Sequence, residues 1–291
     1  MFTHKYIERT SGGKLFTNCY HQKENEIGNI IFCCTPTISV SEQEIESCYL
    51  YFAEYGYNVF AFDFYGTCKS DGFSSDIKPT TIIEDFETVI GHIKTISDSP
   101  IFLFGDTGTG GIMGQFYVAH SQQIVAFAQF GQGIYRDISC IFNGPKPIIS
   151  IAYLIVKVVS SFFPKMQVKL SIPKYNGYNA EKEDKLYAML EQKKRDFRKI
   201  GICLFHTIFW FLYNKNSPLA VPLTTPTLVF NARHDRYFAN EYVQRYYKGL
   251  RGKKKIIHID DCHNSYFFQS KKIVIEVDKW FRVILNQEQV D

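Results

Sequence analysis

The chain has 291 residues, of which 45% are hydrophobic and 21% charged. That balance excludes a disordered chain, and 8 cysteines are too few for a miniature fold stapled by disulfides. A net charge of +4 gives no electrostatic argument for nucleic acid, and none is expected as a partner.

The first ten residues, MFTHKYIERT, contain no apolar run of signal-peptide length. The expectation is a cytoplasmic chain with reduced, mostly buried thiols. There is no Cys-x-x-Cys pair, so no metal site is expected.

His4–Arg9 and Lys14–His21 flank the turn cluster Ser11-Gly12-Gly13 and are predicted to form a hairpin. Asn29–Cys34 is a continuous apolar run, the pattern of a strand buried on both faces. Within it, Cys33 and Cys34 point to opposite faces. Ser41 with Glu44 fits a capping box, and Ile45, Cys48, Tyr49 and Phe52 fall on one face of the helix it would open. Asn58–Asp63 is a second buried strand, and Gly66, Ser70, Asp71 and Gly72 mark a loop. Ile82, Phe86, Val89 and Ile93 keep a helical period. Pro100–Gly105 is a third buried strand. A glycine-rich turn, a helix over Gly110–His120 and a strand over Gln123–Phe130 follow.

Beyond residue 140 no clear strand is predicted until Pro226. Ile148–Phe163 carries Lys157 as its one charge, and Ile200–Tyr213 is interrupted only by His206 and Thr207. Both fall short of the roughly 20 residues of a spanning helix. Each reads either as a buried helix or as a lid touching lipid. His206 reads as a satisfied core histidine. Ala180–Arg198 is a charged, helical stretch whose Lys193-Lys194-Arg195 cluster reads as a solvated face. Pro226–Asn231 then reads as strand, Asn240–Leu250 as helix, Lys254–Asp260 as strand and Lys271–Ile284 as helix. Buried strands alternating with helices imply an α/β fold, a mainly parallel sheet covered on both faces. Sites in such sheets form beyond the carboxyl ends of the strands.

Three such ends carry candidate chemistry. The third buried strand runs into Phe104-Gly105-Asp106-Thr107-Gly108-Thr109-Gly110-Gly111, a bend tight enough to need small neighbours. It matches neither Gly-x-Gly-x-x-Gly nor a turn followed by Gly-Lys-Ser/Thr, so no nucleotide cofactor is expected. After Pro226–Asn231 comes Ala232-Arg233-His234-Asp235, and after Lys254–Asp260 comes Asp261-Cys262-His263. The order is that of a nucleophile, then an acid, then a histidine.

On these residues the chain resembles the α/β-hydrolase superfamily over nearly its whole length. Asp63–Gly72 (DFYGTCKSDG) is similar to the family's D-x-x-G-x-G-x-S-x-G loop, with Cys68 in place of one glycine. Phe104–Gly111 is similar to the nucleophile elbow, with Thr107 at the serine position and Thr109 where glycine is usual. Residues 226–238 resemble the acid-bearing segment, and 260–267 the histidine loop. The subgroup it most resembles is the lysophospholipase or monoacylglycerol-lipase type, of serine aminopeptidase S33 kind. That resemblance implies a core of residues 1–139 and 219–291 with a helical cap insertion at 140–218.

It also implies Thr107 as nucleophile, His263 as general base and acid, and Asp235 as the carboxylate that orients it. The oxyanion donors would be the N–H groups of Gly108 and Thr37, since Pro36 has none. A second register makes Asp106 the nucleophile, as in dehalogenase-like members, and leaves Gly108 at +2. Tyr237 and Phe238 read as packing residues, and so does Cys34. The implied activity is hydrolysis of a carboxylic ester or thioester of an acyl or lipid-like small molecule through an acyl-enzyme, without cofactor, and with peripheral membrane contact through the cap. Two rivals stand beside it: a degenerate hydrolase that binds an apolar ligand or a protein, and an acyltransferase. The oligomeric state is not legible.

Overall fold

The computed structural model describes residues 2–22, 26–106, 108–139, 146–169, 181–182, 184–185, 188 and 199–288. The Ser11-Gly12-Gly13 turn closes an antiparallel hairpin of β1 (Phe2–Glu8) and β2 (Lys14–Tyr20). The continuous apolar runs become strands buried along their whole length, β3 (Gly28–Cys33) and β4 (Tyr57–Phe62). Between them lie helix α1 (Gln43–Tyr49) and the short α2 (Tyr51–Glu54). Ile45, Cys48, Tyr49 and Phe52 are buried, as their spacing demands. Ser41, the predicted cap, lies one residue before the observed one. The helix cap is Glu42, without a side-chain bond, and the Ser41 hydroxyl pairs instead with that of Ser39 at 2.9 Å.

Helix α3 (Pro79–Lys94) leads to β5 (Ile101–Gly105), α4 (Thr109–His120) and β6 (Ala126–Gln129). Helix α5 (Lys146–Phe162) follows. A short antiparallel pair, β7 (Gln167–Lys169) and β8 (Lys199–Gly201), then leads into α6 (Ile202–Tyr213). This pair was not predicted: three residues per strand are too few for a period to register. The chain closes with β9 (Thr227–Ala232), α7 (Asn240–Gly249), β10 (Lys254–Ile259) and α8 (Ser265–Glu288). Helix α8 starts earlier than predicted, across a non-helical Gln269. The charged stretch predicted as helix over 180–198 lies largely outside the described residues.

Among the described residues, eight strands form one sheet in the order β1-β2-β4-β3-β5-β6-β9-β10. The β1–β2 and β2–β4 pairs are antiparallel and the rest parallel. Each face carries its own apolar layer. Cys33 packs in one with Leu103 and Ile112, and Cys34 in the other with Phe104 and Tyr266. Strands β6 and β9 pair directly, so the chain between them is an excursion from the sheet. Helix α6 anchors that excursion on the core. Its Phe211 ring stacks on Phe116 of α4 at 3.8 Å, and Thr207 donates to the Ile77 carbonyl at 3.1 Å. Helix α5 packs on α6, with Asn214 donating to the Tyr153 hydroxyl. His206 departs from the expected satisfied core residue: its Nε2 is buried without a hydrogen-bond partner, and burial holds the imidazole below its usual pKa.

A buried ion pair ties the hairpin to α3. Arg9 Nε donates to Asp85 Oδ1 at 2.8 Å, and the Arg9 and Asp85 side chains are 4% and 0% exposed. The guanidinium also reaches Glu84 at 2.6 Å and lies over the Tyr65 ring, whose backbone N–H donates to Asp85 Oδ2. Removing Asp85 leaves the buried guanidinium with Glu84 alone and takes away the acceptor of the Tyr65 N–H. Asp85→Ala should therefore cost about 3–5 kcal/mol in urea unfolding. A loss within about 0.5 kcal/mol, the range of an ordinary surface change, would contradict this assignment.

Candidate active site

Beyond the ends of β9 and β10 the chain brings Asp235 and His263 together. Parallel pairing sets Ala232 opposite Ile259, and the ladder continues past both strands. The Arg233 N–H donates to the Ile259 carbonyl at 2.9 Å, and that of His234 to Asp261 at 3.0 Å. The turn that follows fixes the carboxylate. Asp235 Oδ1 accepts from the backbone N–H groups of Tyr237 and Phe238, at 2.7 and 3.0 Å. Its other oxygen, Oδ2, accepts from His263 Nδ1 at 2.7 Å. The His263 and Asp235 side chains are 12% and 8% exposed, so the pair sits in a site mostly closed to water. With the proton on Nδ1 facing a carboxylate, Nε2 carries the basic lone pair.

Tyr237 and Phe238, read from sequence as packing, do pack, and they pack on the imidazole. Their ring centroids lie 4.6 and 5.7 Å from that of His263, the Phe238 ring stacked. Together the two residues hold the carboxylate by backbone and the imidazole by side chain. Their place directly after Asp235 was the only signal of this in the sequence.

The bend between β5 and α4 lies opposite. Asp106 leaves the strand with its N–H on the Cys33 carbonyl at 3.0 Å, and its side chain is fully buried, 3.7 Å from Cys34 Sγ. Thr107, the expected nucleophile, lies outside the described residues. Gly108 carries the turn itself, with φ 67° and ψ −124°, and is the N-cap of α4. A Cβ at residue 108 would stand 3.6 Å from His263 Nε2. The helix start is packed hard against the sheet: a Cβ on Gly111 would lie 1.6 Å from the Phe130 carbonyl oxygen, so no side chain fits there. Burial pushes the Cys33 and Cys34 thiols well above their usual range, and the Asp106 charge adds to it. Both are packing thiols rather than nucleophiles.

The loop after β3 faces the same bend. Thr35 Oγ1 lies 2.8 Å from Thr109 Oγ1 at the start of α4 and 3.3 Å from Thr37 Oγ1. Asp63, at the end of β4, anchors this loop and the next. It accepts from the Ser39 hydroxyl at 2.7 Å, the Val40 N–H at 2.8 Å and the Lys69 N–H at 3.0 Å. Those bonds oppose the burial that raises its carboxyl. Cys68 adopts φ 44°, the left-handed conformation usual for the glycine it replaces. A cleft of 360 Å³ opens between this loop and the excursion, lined by Pro36, Thr37, Cys68, Ile77, Ile200 and Leu204. Among the described residues no cluster of histidine, cysteine and carboxylate side chains has the geometry to hold a metal ion.

The family model described as serine aminopeptidase, S33, matches residues 41–263. No curated protein sequence matches the chain significantly. Among solved structures, the chain is similar to the α/β hydrolase GrgF from Penicillium sp. sh18. That likeness has a TM-score of 0.73 at 15% identity and covers 97% of this chain and 98% of the other. Est1E from Butyrivibrio proteoclasticus, solved with ferulic acid bound, has a TM-score of 0.62 at 16% identity, covering 97% and 99%. The esterase Pf2001 from Pyrococcus furiosus has a TM-score of 0.61 at 16% identity, covering 97% and 90%. At these identities the likeness is one of fold.

The Asp63 bonds make a direct test of how the loops are held. Asp63→Ala should speed amide exchange at Val40 and Lys69 on the order of tenfold, for the loss of roughly 1–3 kcal/mol of hydrogen bonding, and leave β5 unchanged. Unchanged exchange at both amides would contradict the role given to Asp63.

Proposed function

Because this chain belongs to the S33 serine aminopeptidase family of α/β hydrolases, we propose that it hydrolyses a carboxylic ester or thioester of an acyl chain, with His263 as general base and acid. The observation that carries this reading is the fixed Asp235–His263 pair, its Nε2 directed at the turn that opens α4. His263 takes the proton of the attacking group, Asp235 stabilises the imidazolium so formed, and His263 returns the proton to the leaving alcohol or thiol. The developing oxyanion would meet the backbone N–H groups of Gly108 and Thr37; the Thr35 hydroxyl, in contact with those of Thr37 and Thr109, supports this reading by holding the two loops together. The esterases of similar fold support the ester class by analogy.

Helix α5 supports the acyl preference and suggests where the substrate comes from. Ile151, Leu154, Ile155, Val158 and Phe162 are 47–76% exposed and follow a helical period along one face. Residues 146–169 contain four lysines and no carboxylate. An exposed apolar stripe beside positive charge fits the surface of an anionic bilayer. No described helix is long and apolar enough to cross a membrane, so the contact would lie in the interface. Binding to phosphatidylserine vesicles should fall at least tenfold in Leu154→Glu with Ile155→Glu, and fall with salt in the wild type. Equal binding by both proteins would contradict it.

A second reading, an apolar-ligand binder without turnover, is favoured by the glycine at residue 108, the place from which a Cβ would face His263 Nε2. One assay separates the two. The wild type should hydrolyse short p-nitrophenyl esters, and His263→Ala should lower kcat/KM by 10³-fold or more. Activity that survives the change would remove the general base, and an inert wild type would select the binder.

A further inference from the structure

We propose that Gly108 occupies the place from which a nucleophile elbow presents its side chain, and that a water molecule held there attacks the acyl carbon directly. The inference rests on the general-base role given above to His263.

Three observations carry it. The first is conformation. An elbow nucleophile sits on a strained strand-to-helix turn that lifts its side chain above the sheet. Among the described residues of the bend, Gly108 has that conformation, at φ 67° and ψ −124°, immediately before the first residue of α4. A non-glycine residue held there is strained, and glycine avoids that strain. The second is direction. A Cβ on Gly108 would lie 3.6 Å from His263 Nε2, so a hydroxyl one bond beyond it would fall within hydrogen-bond reach of that nitrogen. The third is spacing. Counted from Gly108, the +2 position is Gly110, where a Cβ would stand 2.6 Å from the Cys33 carbonyl oxygen, and only glycine fits. Counted from Thr107, the +2 position is Thr109. Asp106, the other candidate, points into the layer of Cys34 and Tyr266 beneath the bend.

Glycine leaves the volume of a missing hydroxymethyl group beside a histidine already oriented by its carboxylate. A water molecule there replaces the side-chain hydroxyl. His263 Nε2 accepts one water proton as the water oxygen bonds to the carbonyl carbon, and the carbonyl electron pair moves to the oxyanion. The pair then returns, the bond from carbon to the leaving oxygen or sulfur breaks, and the imidazolium gives its proton to the leaving group. Ester and water become acid and alcohol in one displacement, with no bond between acyl group and protein.

The test uses a fluorophosphonate probe on the full chain, with the adduct mapped by peptide mass spectrometry. Wild type should hydrolyse p-nitrophenyl acetate yet take up no label. G108S should gain a label at position 108, at least 100-fold faster than the double variant G108S/H263A. A wild-type adduct on Thr107 would overturn the proposal, and so would a folded G108S that stays unlabelled. The positive φ could keep G108S from folding, in which case the wild-type label decides. An inert wild type beside a labelled G108S would keep the glycine's placement and remove the hydrolytic reading on which the water step rests.

Discussion

The hydrogen bond between His263 Nδ1 and Asp235 Oδ2 is the interaction on which the site depends, and most of the fold contributes to its length of 2.7 Å. The two residues are 28 positions apart and come from separate loops. Parallel pairing of β9 with β10, continued past the strand ends by Arg233 and His234, brings those loops into register. Asp235 is held from its other side by two backbone N–H donors, and His263 by two rings. A carboxylate so placed has one orientation open to it. The imidazole then has one tautomer and one direction, which is the preorganisation a general base needs.

Across from this pair the sheet imposes a constraint of a different kind. Helix α4 starts so close to β3 and β6 that side chains are excluded at Gly110 and Gly111. Just before that helix, the chain takes positive φ at Gly108. The site thus keeps the base and its orienting carboxylate, and residue 108, whose Cβ would face them, is a glycine. Chemistry there must draw its attacking group from something other than residue 108. In the esters proposed as substrates, water is the reactant always at hand.

Much of this was legible in the sequence, for identifiable reasons. Strands buried on both faces need continuous apolar runs, so β3, β4, β5 and β9 stand out. Asp235 and His263 were found because each lies just past the end of a predicted strand, in an order that parallel topology makes meaningful. The elbow was harder to read. Gly105, Gly108, Gly110 and Gly111 satisfy the need for small neighbours in more than one register, and composition cannot say which residue takes positive φ. The helix is capped by Glu42 rather than Ser41, and the loop just before it is bonded to Asp63 through Ser39 and Val40, a long-range contact that local sequence does not show. Helices α5 and α6 look alike in hydrophobicity, but α6 is covered by the core and α5 presents a bare stripe. Burial depends on neighbours, which a one-dimensional pattern does not contain.

The central claim, that a histidine–aspartate pair works over a glycine, is tested most directly by looking for an acyl-enzyme. The wild type should be mixed with the p-nitrophenyl ester of a bulky acid such as pivalic acid, whose acyl-enzymes deacylate slowly. The reaction would be quenched with acid during turnover and the intact protein weighed. The account predicts p-nitrophenol release from a protein of unchanged mass. A gain of one pivaloyl group, mapped to Thr107 or Asp106, would contradict it.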